Sequence, residues 1–138
     1  MPREAVGETF LRGLQVTDAN GTVQFTTLYP GWYSGRVNHI HMKVHVGGTA
    51  TVAAYDESGS HVAHTGQIFF PQDVNDVVAQ VSPYTSNRNR YTSNAQDHVY
   101  TSESGSLSQL ALTGNPNDGF SGSITLGVDP GVLSRAAI

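Results

Sequence analysis

The chain has 138 residues, no cysteine, a formal net charge of −4 and only 13% charged residues. A single domain of that length buries roughly two thirds of its unfolded surface without staples, and the missing cysteine excludes a disulfide framework, a thiolate metal site and a cysteine nucleophile. The acidic balance, with its few cations scattered from Arg3 to Arg135, excludes a nucleic-acid partner, which needs a basic face against phosphates.

In chain order, Thr9 to Thr17 alternates weakly and meets Asp18-Ala19-Asn20-Gly21, whose Asn-Gly pair predicts a hairpin turn into a second strand, Thr22 to Leu28. Pro30-Gly31 breaks that strand. From Val37 to Val46 the pattern has period two, with His39, His41, Lys43 and His45 on one face and mostly apolar residues on the other. Gly47-Gly48 ends it. A strand over Thr49 to Tyr55, a turn at Asp56-Glu57-Ser58-Gly59 and a strand from His61 to Phe70 follow. Pro71 opens one short helix, Gln72 to Gln80, with Val74, Val77, Val78 and Val81 at helical spacing. Ser82 to Ser104 is polar and predicts a long loop. Strands over Gly105 to Leu112 and Gly119 to Val128, joined by a turn at 114–118, close the chain.

Fifteen glycines, frequent Ser, Thr and Asn, and so many short strands predict one all-β domain over 1–138, an antiparallel β-sandwich with at most one short helix. No stretch approaches the ~18 apolar residues of a membrane span, so no membrane partner is expected. Met1-Pro2-Arg3-Glu4 lacks the apolar core of a signal peptide, and a cytoplasmic location is the expectation for the chain as it stands.

Chemistry concentrates in Tyr29-Pro30-Gly31-Trp32-Tyr33-Ser34-Gly35-Arg36-Val37-Asn38-His39-Ile40-His41. His-x-His on a strand puts two imidazoles on one face, about 7 Å apart at the backbone, from where both ring nitrogens can reach one ion at about 2 Å. Alone, that pattern more often marks ordinary histidines, and His45, His61, His64 and His98 take that plainer reading. A phenol and a guanidinium just upstream, on Gly-bearing turns that can fold back over the strand, change the weighing. Imidazole plus tyrosinate without thiolate favours ferric iron over zinc or copper(I). Tyr29 and Trp32 compete with Tyr33 for the inward position, and aromatic packing is the expected role of both.

The runs Phe10-Leu11-Arg12-Gly13, Thr17-Asp18-Ala19-Asn20-Gly21, Tyr29 to Arg36, His39-Ile40-His41, Gln67-Ile68-Phe69-Phe70-Pro71 and Leu126-Gly127-Val128-Asp129-Pro130 resemble the intradiol ring-cleavage dioxygenases, the catechol 1,2-dioxygenase and protocatechuate 3,4-dioxygenase superfamily. The likeness is greatest to its small single-domain branch, often exported, and spans nearly the whole chain. It implies a non-haem Fe(3+) site in which Tyr33, His39 and His41 are ligands, with Arg36 steadying charge on the aromatic ring and Gln67 lining the substrate pocket. The implied reaction takes a small aromatic diol and O2 and opens the ring between the hydroxyl-bearing carbons to give a muconate-type diacid, with Tyr33 also catalytic as the phenolate that substrate displaces.

One departure qualifies that reading. The family's fourth ligand is an equatorial tyrosine from an upstream Trp-His-x-Asp…Gly-x-Tyr-Ser segment, and this sequence has no tyrosine before Tyr29. Tyr84, Tyr91 and Tyr100 are the phenols left to replace it, and nothing in their spacing demands that role. Without the upstream strands an apolar sheet face is expected to be exposed, which invites a homodimer. Two other readings follow: a metal-binding β-sandwich with an incomplete ligand set and no turnover, and a structural sandwich that presents Trp32 and its tyrosines to a partner.

Overall fold

A computed structural model describes residues 9–134; Met1-Pro2-Arg3-Glu4 and Arg135 lie outside them. The alternation around the paired histidines forms strand β1 (His39–Val46), and the fourth strand, β4 (His61–Phe69), pairs with it antiparallel. His39 stands opposite Phe69 and His41 opposite Gln67, with an irregularity between Val44 and His45. Between them lies a small hairpin of β2 (Thr49–Ala50) and β3 (Tyr55–Asp56). The single strand expected over Thr49 to Tyr55 is therefore two, because the chain reverses where Thr51 N donates to Ala54 O at 2.8 Å. Gly48 allows that hairpin to approach. It has φ +77°, and a Cβ there would lie 2.8 Å from the Asp56 carbonyl oxygen.

Helix α1 (Gln72–Val78) starts after Pro71 as expected and ends two residues early, its last turn tightening as Gln80 N and Val81 N donate to Val77 O and Val78 O. Its Asn75 is fully buried. Asn75 Oδ1 accepts from Tyr29 Oη at 2.7 Å, and Asn75 Nδ2 donates to Asn94 Oδ1 at 3.3 Å. Asn94 in turn donates to Phe70 O at 3.0 Å. This satisfied buried network ties the helix to the following segment.

That segment, expected as a plain loop over Ser82 to Ser104, is more ordered. Single 3₁₀ turns occupy Tyr84–Ser86 and Asn94–Gln96, and a second helix, α2 (His98–Ser102), follows. The expectation of at most one short helix is corrected here. Asp97 makes the difference: its Oδ1 accepts Val99 N at 2.8 Å and Tyr100 N at 3.1 Å, capping a helix of weak formers. Strands β5 (Ala111–Asn115) and β6 (Gly119–Ser123) complete the fold, and Gly105–Ser108 is a 3₁₀ turn rather than the start of a strand.

The two strands expected over Thr9 to Thr17 and Thr22 to Leu28 form no ladder. Only their turn is realised, with Gly21 at φ +74° and Asp18 Oδ1 accepting Asn20 N and Thr22 N. The arms touch through Gln15 and Gln24, while Phe10, Val16, Phe25 and Leu28 stay exposed. A two-stranded ribbon with no third strand or packed face is marginal in water. Among the described residues the architecture is all-β, with three antiparallel strand pairs. Trp32, Val37, Ala63, Phe69, Phe70 and Val78 are the buried apolar residues among those described, and the Phe69 ring lies 6.1 Å from that of His39, its partner across the β1–β4 pair. Among the described residues no helix is long and apolar enough to cross a membrane.

Candidate functional site

The site is built on a tight turn leading into β1. Tyr33 and Arg36 pair across it, Tyr33 N donating to Arg36 O at 3.2 Å and Arg36 N to Tyr33 O at 2.9 Å. Gly35 takes φ +84°, which suits a turn with glycine at its third position. Its amide donates to Thr92 Oγ1 at 3.0 Å, so the turn is anchored from outside itself. The two side chains at its ends consequently stand side by side, with Arg36 Nη1 donating to Tyr33 Oη at 3.3 Å.

Starting three residues after Arg36, β1 presents His39 and His41 on one face. Their Nε2 atoms are 3.3 Å apart, and the Tyr33 and His39 rings lie 5.9 Å apart between centroids. His39 Nδ1 faces the Val37 carbonyl oxygen at 2.5 Å; a carbonyl only accepts, so Nδ1 carries the proton and Nε2 keeps its lone pair. Burial first, and the Arg36 charge with it, push His39 down to about 4, against the opposing hydrogen bond to Val37. His41, exposed on the strand, is lowered in the same direction by its partial desolvation and by Arg36. Both imidazoles are thus neutral near pH 7, the form that binds a metal.

Two nitrogens at that separation can each lie about 2.0–2.1 Å from one ion. Among the described residues no group of three or more His, Cys, Asp or Glu could hold a metal ion. A third protein donor to an ion on the histidine pair would have to be of another kind, and the Tyr33 phenol is beside it. The donor set of two imidazoles and one phenol fits a hard, trivalent cation.

Arg36 is held on several sides. Its Nε donates to Asp97 Oδ2 at 2.9 Å and its Nη2 donates to Gln67 Oε1. Asp97 is fully buried, and the same Oδ2 accepts Val37 N at 2.8 Å. Burial alone would raise its carboxyl, but the amides of Val37 and Tyr100 and the Arg36 guanidinium outweigh that and hold it below the usual carboxylate range.

All five residues singled out from the sequence, Tyr33, Arg36, His39, His41 and Gln67, meet at this face. Gln67 arrives by register, directly across from His41. Asp97 was missed, since nothing local connects it to Arg36 sixty-one positions earlier; its signal was the cap before His98-Val99-Tyr100. Tyr29 and Trp32 pack as expected: Tyr29 tilts on Phe70 at 4.3 Å, and Trp32 meets Tyr91 edge-on and donates to Asn89 O at 3.0 Å. The three loop phenols are engaged elsewhere, Tyr84 with Tyr29 O, Tyr91 with Asp76 and Tyr100 with Gln109. His45 lies edge-on to Tyr55, and His61 is bonded to Pro130 O.

No protein-family model matches the chain, and no curated protein does. Solved structures do. The chain is 35% identical to an intradiol ring-cleavage dioxygenase from Tetranychus urticae, with a TM-score of 0.73 over 88% of this chain and 54% of that one. A second solved dioxygenase structure matches at 35% identity and a TM-score of 0.74 over the same shares. The chain spans about half the length of the structures it matches. Over that span the chain is similar in fold and in sequence to intradiol ring-cleavage dioxygenases.

Proposed function

We propose that this chain carries the metal-binding face of a non-haem iron dioxygenase acting on catechol-type diols, with Tyr33, His39 and His41 as protein ligands. The observation that carries the reading is the pair of Nε2 atoms 3.3 Å apart with a phenol and a guanidinium beside them. Ferric iron held by these residues would supply the Lewis-acid chemistry that makes the ring of a diol reactive toward O2, the overall reaction being cleavage between the hydroxyl-bearing carbons to a muconate-type diacid. In this reading Tyr33 Oη would take a proton from the entering diol. The Arg36 guanidinium supplies fixed positive charge where the ring becomes electron-rich. Gln67, bonded to Arg36, forms the wall on the β4 side. Oxygen uptake by the iron-loaded protein with catechol, and appearance of the ring-opened diacid, test the reading; iron-replete protein that never consumes oxygen defeats it.

A second reading has its own support, since three donors gather here and Tyr84, Tyr91 and Tyr100 are bonded elsewhere. In it the β-fold holds a metal and turns nothing over. Loss of metal in His41→Ala, with no activity in either protein, would favour it.

A further inference from the structure

A guanidinium on a flexible stem contributes to a site only if its direction is fixed before substrate arrives. Arg36 has one edge toward the site, where Nη1 meets Tyr33 Oη at 3.3 Å. Its opposite edge is gripped by Asp97, whose carboxylate is fully buried and 2.9 Å from Nε, with the Arg36 side chain 12% exposed.

The two oxygens of Asp97 divide their work. Oδ1 accepts Val99 N and Tyr100 N and starts helix α2. Oδ2 accepts Arg36 Nε and Val37 N, the second of these two residues before His39. The helix cap and the entry to the histidine strand are therefore joined through one carboxylate. Removing Oδ2 as an acceptor would leave the guanidinium held at its Nη atoms alone, by Gln67 and Tyr33, and let its Nε edge turn while the cap survives on Oδ1.

We propose that Asp97 is the positioning residue of this site: it touches neither metal nor substrate, and it sets where the Arg36 guanidinium points. This rests on the reading of the site given under Proposed function.

Asp97→Asn is the discriminating change, because an amide that keeps its carbonyl on the Oδ1 side still caps α2 and turns NH2 donors toward Arg36 Nε and Val37 N. In the metal-free protein, the nitrogen-15 resonance of Arg36 Nε–H should be shifted and slow to exchange. In Asp97→Asn it should move to the position and exchange rate of a solvated guanidinium, with the Val99 and Tyr100 amides unmoved. With iron loaded, kcat/KM for catechol should fall about 10- to 100-fold, as a misplaced group would cause, and Arg36→Ala/Asp97→Asn should fall no further than Arg36→Ala. An Arg36 Nε–H unchanged by the substitution, or losses that add in the double variant, would overturn the proposal. Should Asp97→Asn not fold, slow exchange of Arg36 Nε–H in the intact protein supports the proposal and fast exchange overturns it. If the iron-loaded protein turns nothing over, the functional reading fails alone, since the metal-free resonance still decides the role of Asp97.

Discussion

His39 makes the stability of the metal-free protein depend on pH in a window that can be calculated. Its imidazole is buried, with Nδ1 committed to Val37 O, and its folded pKa is about 4 against an ordinary 6.5. Between those values the unfolded chain takes up a proton that the folded chain refuses. The contribution is fully present above the unfolded value and is lost as pH falls toward the folded one. A gap of that size is worth about 3 kcal/mol, at about 1.4 kcal/mol per pH unit. His41 acts in the same direction. Asp97, whose carboxyl is held below its usual range, adds its own loss only at lower pH, as that group protonates. Urea unfolding of metal-free protein at a series of pH values reads the effect, with His39→Gln as the control that should remove most of the slope. Stability that is flat between about pH 4 and pH 7, or a slope untouched in His39→Gln, would refute the assignment of a buried neutral imidazole.

Burial separates the two histidines in a second experiment. His41→Ala, at an exposed position, should change unfolding stability by less than about 0.5 kcal/mol while weakening metal binding by more than about 100-fold, since losing a ligand exceeds losing a ligand's hydrogen-bond partner. Gly35→Ala should cost about 1–2 kcal/mol in thermal unfolding, because φ +84° is strained for any residue with a Cβ even though space there is open. Phe69→Ala, at a site 2% exposed and directly across from His39, should cost about 3–5 kcal/mol and loosen the histidine face, visible as weaker metal binding.

What was legible in the sequence follows the range of the interactions involved. Period-two patterning located β1 within two residues, because its apolar and histidine faces are set by neighbours in the chain. Pro71 located the start of α1 for the same reason. The β-branched and aromatic runs before Leu28 misled, since strand propensity is realised only against a packed partner, and Phe10, Phe25 and Leu28 have none that buries them among the described residues. Helix α2 was hidden by its β-branched residues, although Ser93 and Gln96 form a capping box just before it and Asp97 caps it. Tyr33, Arg36, His39 and His41 lie close in sequence and could be found together. Gln67 came by resemblance and was placed by strand register. Asp97, brought to Arg36 by tertiary packing alone, had no local mark of that partnership.

The proposed function requires that Tyr33, His39 and His41 share one ferric ion. Elemental analysis and the visible spectrum of iron-loaded protein, native beside Tyr33→Phe, address it most directly. Iron should be bound one to a chain, with a broad tyrosinate-to-iron absorption that Tyr33→Phe removes. Iron bound without that absorption, or absorption unchanged in Tyr33→Phe, would contradict it.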